Sequence, residues 1–277
     1  MTDSEEERAR RIEATAAEAF AIWETGRQVA PFAARHPGFD LDEAYAVAAR
    51  VRELRASRGE RPIGRKIGFT NRTVQIAYGV DGPIWNTMFD STVFDLAAIE
   101  GRFALAGLPE PRIEPEIVFH FAAAPRPEMD DDELLRCVDW IAHGFEVVQS
   151  IFAGWRFAAA DAVAAYGLHG AYFIGQRRPV ADDRRAWRRS LSEFTIELVS
   201  DDGVLLAGHA TNVLGGPLRA LRHLLIELDA SSAGDPVRPG ELVTTGTLTD
   251  APRVGAGQTW STKLSGTPLE GLRLQFS

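Results

Sequence analysis

Glu114 and Glu116 stand two residues apart in the stretch Arg112-Ile113-Glu114-Pro115-Glu116-Ile117-Val118-Phe119-His120. The stretch reads as a strand, because apolar residues alternate and β-branched and aromatic types dominate. A period of two puts Ile113, Pro115, Ile117 and Phe119 on one face, and Glu114, Glu116, Val118 and His120 on the other. Two carboxylates side by side repel unless a cation or a shared proton lies between them. A hard divalent cation with oxygen ligands is the simplest occupant. The alternative is a solvated strand edge, which Pro115 favours. The same anomaly recurs in the strand predicted over 145–152, where Glu146 shares a face with Val148 and Ser150. Convergence of Glu114, Glu116 and Glu146 would make an oxygen-only site suited to Mg²⁺ or Mn²⁺ rather than Zn²⁺.

Other residues could serve such a centre. Lys66 lies in a short strand bracketed by Gly64 and Gly68, glycines that suggest close approach of backbone or ligand. It reads as a surface lysine or, beside a bound anion, as an electrostatic partner or proton donor. Thr245-Gly246-Thr247 ends a strand with backbone N–H groups and hydroxyls that could hold a carboxylate; an ordinary strand end is the equal alternative. His169, beside Gly170, is the better acid–base candidate of the histidines, with an ordinary pKa near neutrality. His120 lies far along its strand from Glu114 and reads as structural.

The elements that must position these residues follow from periodicity. Helical signal covers 5–35 with a break at Pro31, and resumes over 41–57 with Asp40 as N-cap and Glu43 three residues on. Residues 84–89 are strongly apolar and read as a loop tucked onto the core or a lid. A helix opens at Asp130-Asp131-Asp132 and carries Leu134, Leu135, Val138 and Ile141 as its stripe, ending at Gly144. A short helix is predicted over 71–78, a turn then strand over 167–175, a hairpin about 201–203, a helix from Pro217 to about Leu228, and closing strands near 259–264 and 272–276. Short strands with helices grouped early predict an α+β fold in a single domain, with a helical part over 1–60 packed on a β-rich body over 61–277.

Composition narrows the function. A net charge of −9 argues against nucleic-acid binding, and the paired arginines at 184–185 and 188–189 read as a solvated connection. The single cysteine, Cys137, allows no intrachain disulfide and fits a reducing cytoplasm. No apolar run is long enough to span a bilayer, and the acidic first residues are not a secretory signal.

The ordered set Gly64-Arg65-Lys66-Ile67-Gly68-Phe69-Thr70, Gly79-Val80-Asp81, Glu114-Pro115-Glu116, Glu146, Asn212-Val213-Leu214-Gly215 and Thr245-Gly246-Thr247 resembles the 2-keto-4-pentenoate hydratase / 4-oxalocrotonate decarboxylase group of the fumarylacetoacetate hydrolase superfamily. The resemblance implies a mixed β-roll with a helical N-terminal part, and a homo-oligomer built from dimers. It implies Mg²⁺ or Mn²⁺ on Glu114, Glu116 and Glu146, catalysis by Lys66, and substrate binding by Gly68, Asp81, Thr245, Gly246 and Thr247. The substrate would be a small 2-oxo or 2-hydroxy-dienoic acid from aromatic-ring degradation. The reaction would be hydration of a 2-hydroxy-2,4-dienoate; decarboxylation of a 2-oxo-3-enedioate, C–C hydrolysis and a non-catalytic partner subunit are the alternatives. A decarboxylase would want a further cation for its second carboxylate, with Arg65 and Arg72 as candidates. The chain departs from the family pattern at Ile84, Gln149 and Ala165-Tyr166, where acids or an Asp-Asn pair are common.

Overall fold

The computed structural model describes residues 5–23, 25–71, 75–76, 78–80, 82–181, 183–231 and 234–277. Helix α1 (Glu5–Ile22) and helix α3 (Leu41–Ser57) pack side by side, with the single turn α2 (Phe32–Arg35) between them in sequence. Asp40 caps α3 as its spacing predicts, its side chain accepting from the Glu43 N–H at 2.9 Å. Small residues allow the close approach: Ala16 and Ala19 of α1 and Ala44 and Val47 of α3 are fully buried. These helices share one apolar cluster with Phe152, Val163 of the short helix α5 (Ala159–Ala164) and Tyr166 of the β-rich body.

The body holds two sheets. The larger contains β1 (Pro62–Gly68), β2 (Ile84–Phe89), β3 (Val93–Asp95), β5 (Arg112–Phe121), β6 (Val138–Val148), β7 (His169–Ile174), β8 (Arg178–Pro179) and β11 (Leu242–Thr244). Its order is β2-β1-β11-β5-β6-β7-β3, with β8 on β6. The β1–β11 and β3–β7 pairs are parallel and the others antiparallel, so the sheet is mixed, as the family resemblance implies. The smaller contains β4 (Arg102–Phe103), β9 (Thr195–Ser200), β10 (Leu205–His209), β12 (Thr259–Ser265) and β13 (Arg273–Phe276), ordered β10-β9-β12-β13-β4. Ile113, Phe145 and Phe173 of the large sheet meet Leu198, Trp260 and Leu274 of the small one in a shared core. Helices α6 (Arg184–Glu193) and α7 (Pro217–Ala230) cover Ile117 and Phe119 farther along the same face of β5. The apolar face of β5 is thus fully covered, and its carboxylates lie on the opposite face.

Four expectations change. Helix α4 (Asp131–Cys137) opens at Asp130, with a capping box to Glu133, but stops seven residues short of Gly144. Residues from Val138 onward belong to β6, whose register with β5 runs without interruption from Arg112↔Val148 to His120↔Trp140. Residues 84–89 are neither loop nor lid but β2, buried at every position. The paired arginines at 184–185 and 188–189 lie on α6 rather than in a connection. Pro115 is not on an edge strand, since β5 lies between β11 and β6. Its missing N–H faces the side where β11 has already ended at Thr244; there the Pro115 carbonyl accepts from the Leu248 N–H at 2.9 Å, so no ladder bond is lost.

Gly64 is required by packing: a Cβ there would stand 2.1 Å from the Leu242 carbonyl oxygen of β11. Among the described residues no helix is long and apolar enough to cross a membrane.

Candidate active site

Antiparallel pairing places Glu114 of β5 directly opposite Glu146 of β6, with Glu116 two positions along the same face. One carboxylate oxygen from each of the three lies within 4.8 Å of the others. Strand β1 lies two strands from β5, separated by β11, yet its lysine is long enough to arrive. Lys66 Nζ stands 3.1 Å from Glu146 Oε2 and donates to the Gly167 carbonyl at 2.9 Å. The Lys66 reading as a surface residue therefore fails; the residue is 3% exposed.

The electrostatics are those of too many acids. Burial pushes Glu116 well above the ordinary carboxylate range, and the neighbouring Glu146 and Glu114 add to it. Burial lifts Glu114 to about 7 against the pull of Lys66. Burial also opposes ionisation of Glu146, but Lys66 and His169 outweigh it and hold this acid below its usual range. Lys66 is drawn down by burial and raised by all three glutamates; the glutamates win. Without a further cation, one ammonium faces three carboxylates, and Glu116 Oε1 is buried with no hydrogen-bond partner. A divalent ion bound by oxygen supplies the missing charge, so the donor set fits such an ion.

A cavity of about 180 Å³ opens beside the cluster. Lys66 and Glu114 reach its wall, while Glu116 and Glu146 lie behind them. Phe69, Tyr78, Trp155 and Phe157 form its aromatic wall, with Phe69, Tyr78 and Phe157 in a near-parallel stack at 4.7 and 5.3 Å between centroids. The volume is well below the roughly 300–1,000 Å³ of drug-sized pockets, so the site suits a small, flat molecule.

The remaining predicted residues divide. Gly68, Gly246 and Thr247 are on the cavity wall. The Gly246 N–H donates to Glu116 Oε2 at 3.0 Å, and its φ of +86° places a would-be Cβ 2.2 Å from Thr70 Oγ1, so only glycine fits. Thr245 turns inward and donates to the Ile117 carbonyl at 3.2 Å. Asp81 and Arg72 lie outside the described residues. Arg65 is buried on the other side of β1, toward the Gly64 carbonyl and Glu241. His120 pairs with Asp139 and stacks on Trp140, away from the cluster.

His169 is fully engaged. Its Nδ1 meets Glu146 Oε1 at 2.7 Å and its Nε2 stands 3.0 Å from Thr92 Oγ1, with the ring buried behind the cavity wall. Burial lowers its pKa despite Glu146, which favours the neutral imidazole.

The residues just before His169 are unusual. Tyr166, Gly167 and Leu168 adopt φ of 61°, 61° and 63° in succession. Left-handed backbone costs roughly 1–2 kcal/mol per non-glycine residue, so the surroundings must hold it. Tyr166 is buried against Trp23, 4.2 Å between ring centroids, and its hydroxyl donates to the Ala19 carbonyl at the end of α1. The turn presents the Gly167 carbonyl to Lys66 and delivers His169 to Glu146. Of the family departures, Ile84 is on the cavity wall, Gln149 donates to the His169 carbonyl at 3.3 Å, and Tyr166 anchors this turn.

Sequence reasoning missed Arg112, which is on the cavity wall. The signal was available: it shares the strand face of Glu114 and Glu116 by the same alternation.

No family model matches the chain. It is 31% identical over 244 residues to a 2-keto-4-pentenoate hydratase of Paraburkholderia xenovorans (strain LB400), covering 88% of this chain and 87% of that protein. It is 29% identical over 245 residues to a 2-hydroxyhexa-2,4-dienoate hydratase of Comamonas testosteroni, covering 87% and 89%. Among solved structures, 4-oxalocrotonate decarboxylase from Pseudomonas putida G7, complexed with magnesium and adipate, superposes with a TM-score of 0.85 at 21% identity, covering 100% of this chain and 99% of that one.

Proposed function

The chain belongs to the 2-keto-4-pentenoate hydratase group of the fumarylacetoacetate hydrolase superfamily, and on that premise we propose that it is a metal-dependent hydro-lyase adding water to a 2-hydroxy-2,4-dienoate. The observation that carries the reading is the convergence of Glu114, Glu116, Glu146 and Lys66 beside a small aromatic-walled cavity. Hydration is favoured over decarboxylation because the relatives near 30% identity are hydratases, whereas the 21% likeness to a decarboxylase bears on fold alone.

Glu114, Glu116 and Glu146 would hold the divalent ion, Mg²⁺ or Mn²⁺, which would polarise the 2-oxygen of the bound acid. Gly68, Gly246 and Thr247 shape the wall against which the substrate carboxylate rests, and Asp81 belongs with them by family resemblance. Hydration needs four proton movements: the 2-hydroxyl loses a proton and C5 gains one to give the 2-oxo-3-enoate, then water loses a proton as its oxygen bonds to C4 and C3 gains one. Lys66 is the one ammonium at the carboxylate end of the cavity among the described residues. It supports the negative charge that develops on the 2-oxygen and relays the proton. His169 holds Glu146 through Nδ1, which makes it a positioning residue rather than the acid–base group expected from sequence. The aromatic walls exclude bulk water from the diene and present flat surfaces to it. Family membership also supports a homo-oligomer built from dimers, a cytoplasmic setting and a place in aromatic catabolism.

The test is turnover of 2-hydroxypenta-2,4-dienoate with Mg²⁺ and with excess chelator, with products identified by mass. Chelator-sensitive gain of one water supports the reading. No turnover by metal-loaded protein rejects that substrate, and release of CO₂ from a six-carbon enedioate would move the reading to the decarboxylase.

A further inference from the structure

Three buried polar atoms without a hydrogen-bond partner among the described residues gather at one carboxylate: Glu116 Oε1, the Tyr172 hydroxyl and the Thr244 hydroxyl. Strand register brings them together. Glu116 of β5 stands opposite Gly144 of β6, and Tyr172 of β7 stands opposite Glu146 on the other side of β6. The Tyr172 ring lies across the bare Gly144 position, where a Cβ would be 2.4 Å from the hydroxyl oxygen. Cβ atoms of directly opposed residues are about 5 Å apart, so that hydroxyl lies within reach of the Glu116 side chain. Glu116 and Glu146 are the carboxylates whose charge it feels. From the other side, Thr244 of β11 pairs with Val118, which puts it diagonal to Glu116 on the same face. Its hydroxyl is near enough to ease ionisation of Glu116, yet makes no well-formed hydrogen bond. Tyr172 otherwise packs in an apolar cluster with Met88, Val118, Ala142, Ile174 and Leu242. A phenylalanine would suit that cluster as well, and a buried hydroxyl left unmatched is costly.

We infer that Tyr172 and Thr244 are positioning residues for the metal centre: their hydroxyls donate to Glu116 when its carboxylate holds the divalent ion, and fix the orientation in which it binds. The inference deepens the proposed function and rests on its metal-site reading. A carboxylate on an ion keeps lone pairs that the ion does not use, and the Gly246 N–H fills one of them on Oε2. Among the described residues no group donates to Oε1. The two hydroxyls are the donors at hand, and donation to an ionised acceptor is the stronger form of the bond. Ligating carboxylates are commonly held in this way, and loss of such a partner weakens the hold on the ion. Glu146 is already held by Lys66 and His169, and Glu114 reaches the cavity wall, so Glu116 is the ligand whose orientation depends on the two hydroxyls.

The test is calorimetric titration of the chelator-treated full-length protein with Mn²⁺, for wild type, Tyr172→Phe and Thr244→Val, with metal-free thermal midpoints measured alongside. Tyr172→Phe should weaken Mn²⁺ binding about 10-fold or more. Its metal-free midpoint should stay or rise, because the hydroxyl removed has no partner there. Thr244→Val, which keeps the shape of the side chain, should act in the same sense. Addition of Mg²⁺ should also shift the near-ultraviolet tyrosine band of wild type to longer wavelength, as the phenol donates to a charged acceptor, and Tyr172→Phe should lack that shift. Unaltered Mn²⁺ affinity in either variant overturns the inference for that residue. Absence of the spectral shift in wild type, or its persistence in Tyr172→Phe, overturns it for the tyrosine. Weakened binding together with a lowered metal-free midpoint overturns it too, by reducing the hydroxyl to a packing role. In each of these cases, binding of one ion by wild type leaves the metal-site reading standing. Failure of wild type to bind Mn²⁺ overturns that reading and this inference with it.

Discussion

Among the described residues, two of the buried clusters of charge are built to opposite specifications. At the junction of the helices and β2, Glu60 accepts from Arg55 Nε at 3.0 Å and Nη2 at 2.5 Å, from Arg58 Nε at 2.9 Å and Nη2 at 2.6 Å, and from the Ser91 hydroxyl. Arg55 is also sandwiched between Trp23 and Phe89, 4.5 and 4.0 Å from the ring centroids. Burial opposes the Glu60 charge, but these donors outweigh it and hold the acid below its ordinary range. Every charge there is answered by the protein itself. On the face of the large sheet the reverse holds: Glu114 and Glu116 are lifted above their ordinary range by burial and mutual repulsion, and one lysine serves three acids. Saturation marks the cluster that holds helices to sheet. Shortage of counter-charge marks the cluster to which we assign an ion and a substrate.

The comparison breaks most sharply under exchange of stability for activity. Burial and the neighbouring Glu146 and Glu114 disfavour the charge on Glu116, so Glu116→Gln, which removes that charge, should leave the thermal midpoint of the metal-free protein unchanged or raise it, while turnover of the dienoate falls by about 10³-fold or more. Glu60→Ala should do the converse. It strands Arg55 beneath two rings and should cost about 3–5 kcal/mol in denaturant unfolding, with turnover per folded molecule preserved.

Proton linkage sharpens the contrast next. Glu114 titrates near 7 in the folded metal-free protein against an ordinary value of 4.5. The folded state therefore binds more protons than the unfolded state between those values, and metal-free stability should fall by about 1–3 kcal/mol as pH rises through that window. Mg²⁺ binding needs the bare carboxylate and should strengthen over the same window. Unfolding curves at pH 5 and 8, with and without Mg²⁺, check both signs. A rise in metal-free stability with pH would show that another group dominates.

The smallest effect concerns the link between the two regions. Tyr166→Phe removes one hydroxyl from the Ala19 carbonyl, at about 1 kcal/mol of stability. Because the same turn carries the Gly167 carbonyl that Lys66 donates to, the variant should also lower kcat several-fold with little change in KM. An unchanged kcat would confine Tyr166 to holding α1.

What could be read from the residues follows the same division. Strands with one covered face and one chemical face betray themselves by alternation, and that is why Glu114, Glu116 and Glu146 stood out. The Asp40 and Asp130 caps were legible because capping is local. Residues 138–144 were not, since from Ile141 onward β6 is buried on both faces and the apolar spacing matches a helix as well as a strand. The same double burial hid β2. Pro115 pointed to an edge, and only the early end of β11 explains its place inside the sheet. Lys66 and His169 were found by type, but what they touch depends on a left-handed turn whose Tyr166 and Leu168 carry no glycine signal. Arg112 was hidden by the ordinariness of an arginine at a strand start.

The central claim is that the shortage of positive charge at the glutamates is filled by one divalent ion. The most direct test is calorimetric titration of chelator-treated protein with Mn²⁺ at pH 8, for wild type and Glu116→Gln. The account predicts one ion per chain for wild type, displaced by excess Mg²⁺, and affinity at least about 100-fold weaker in the variant. Equal affinity in the two proteins would contradict it, because the ion would then be held somewhere other than on these three carboxylates.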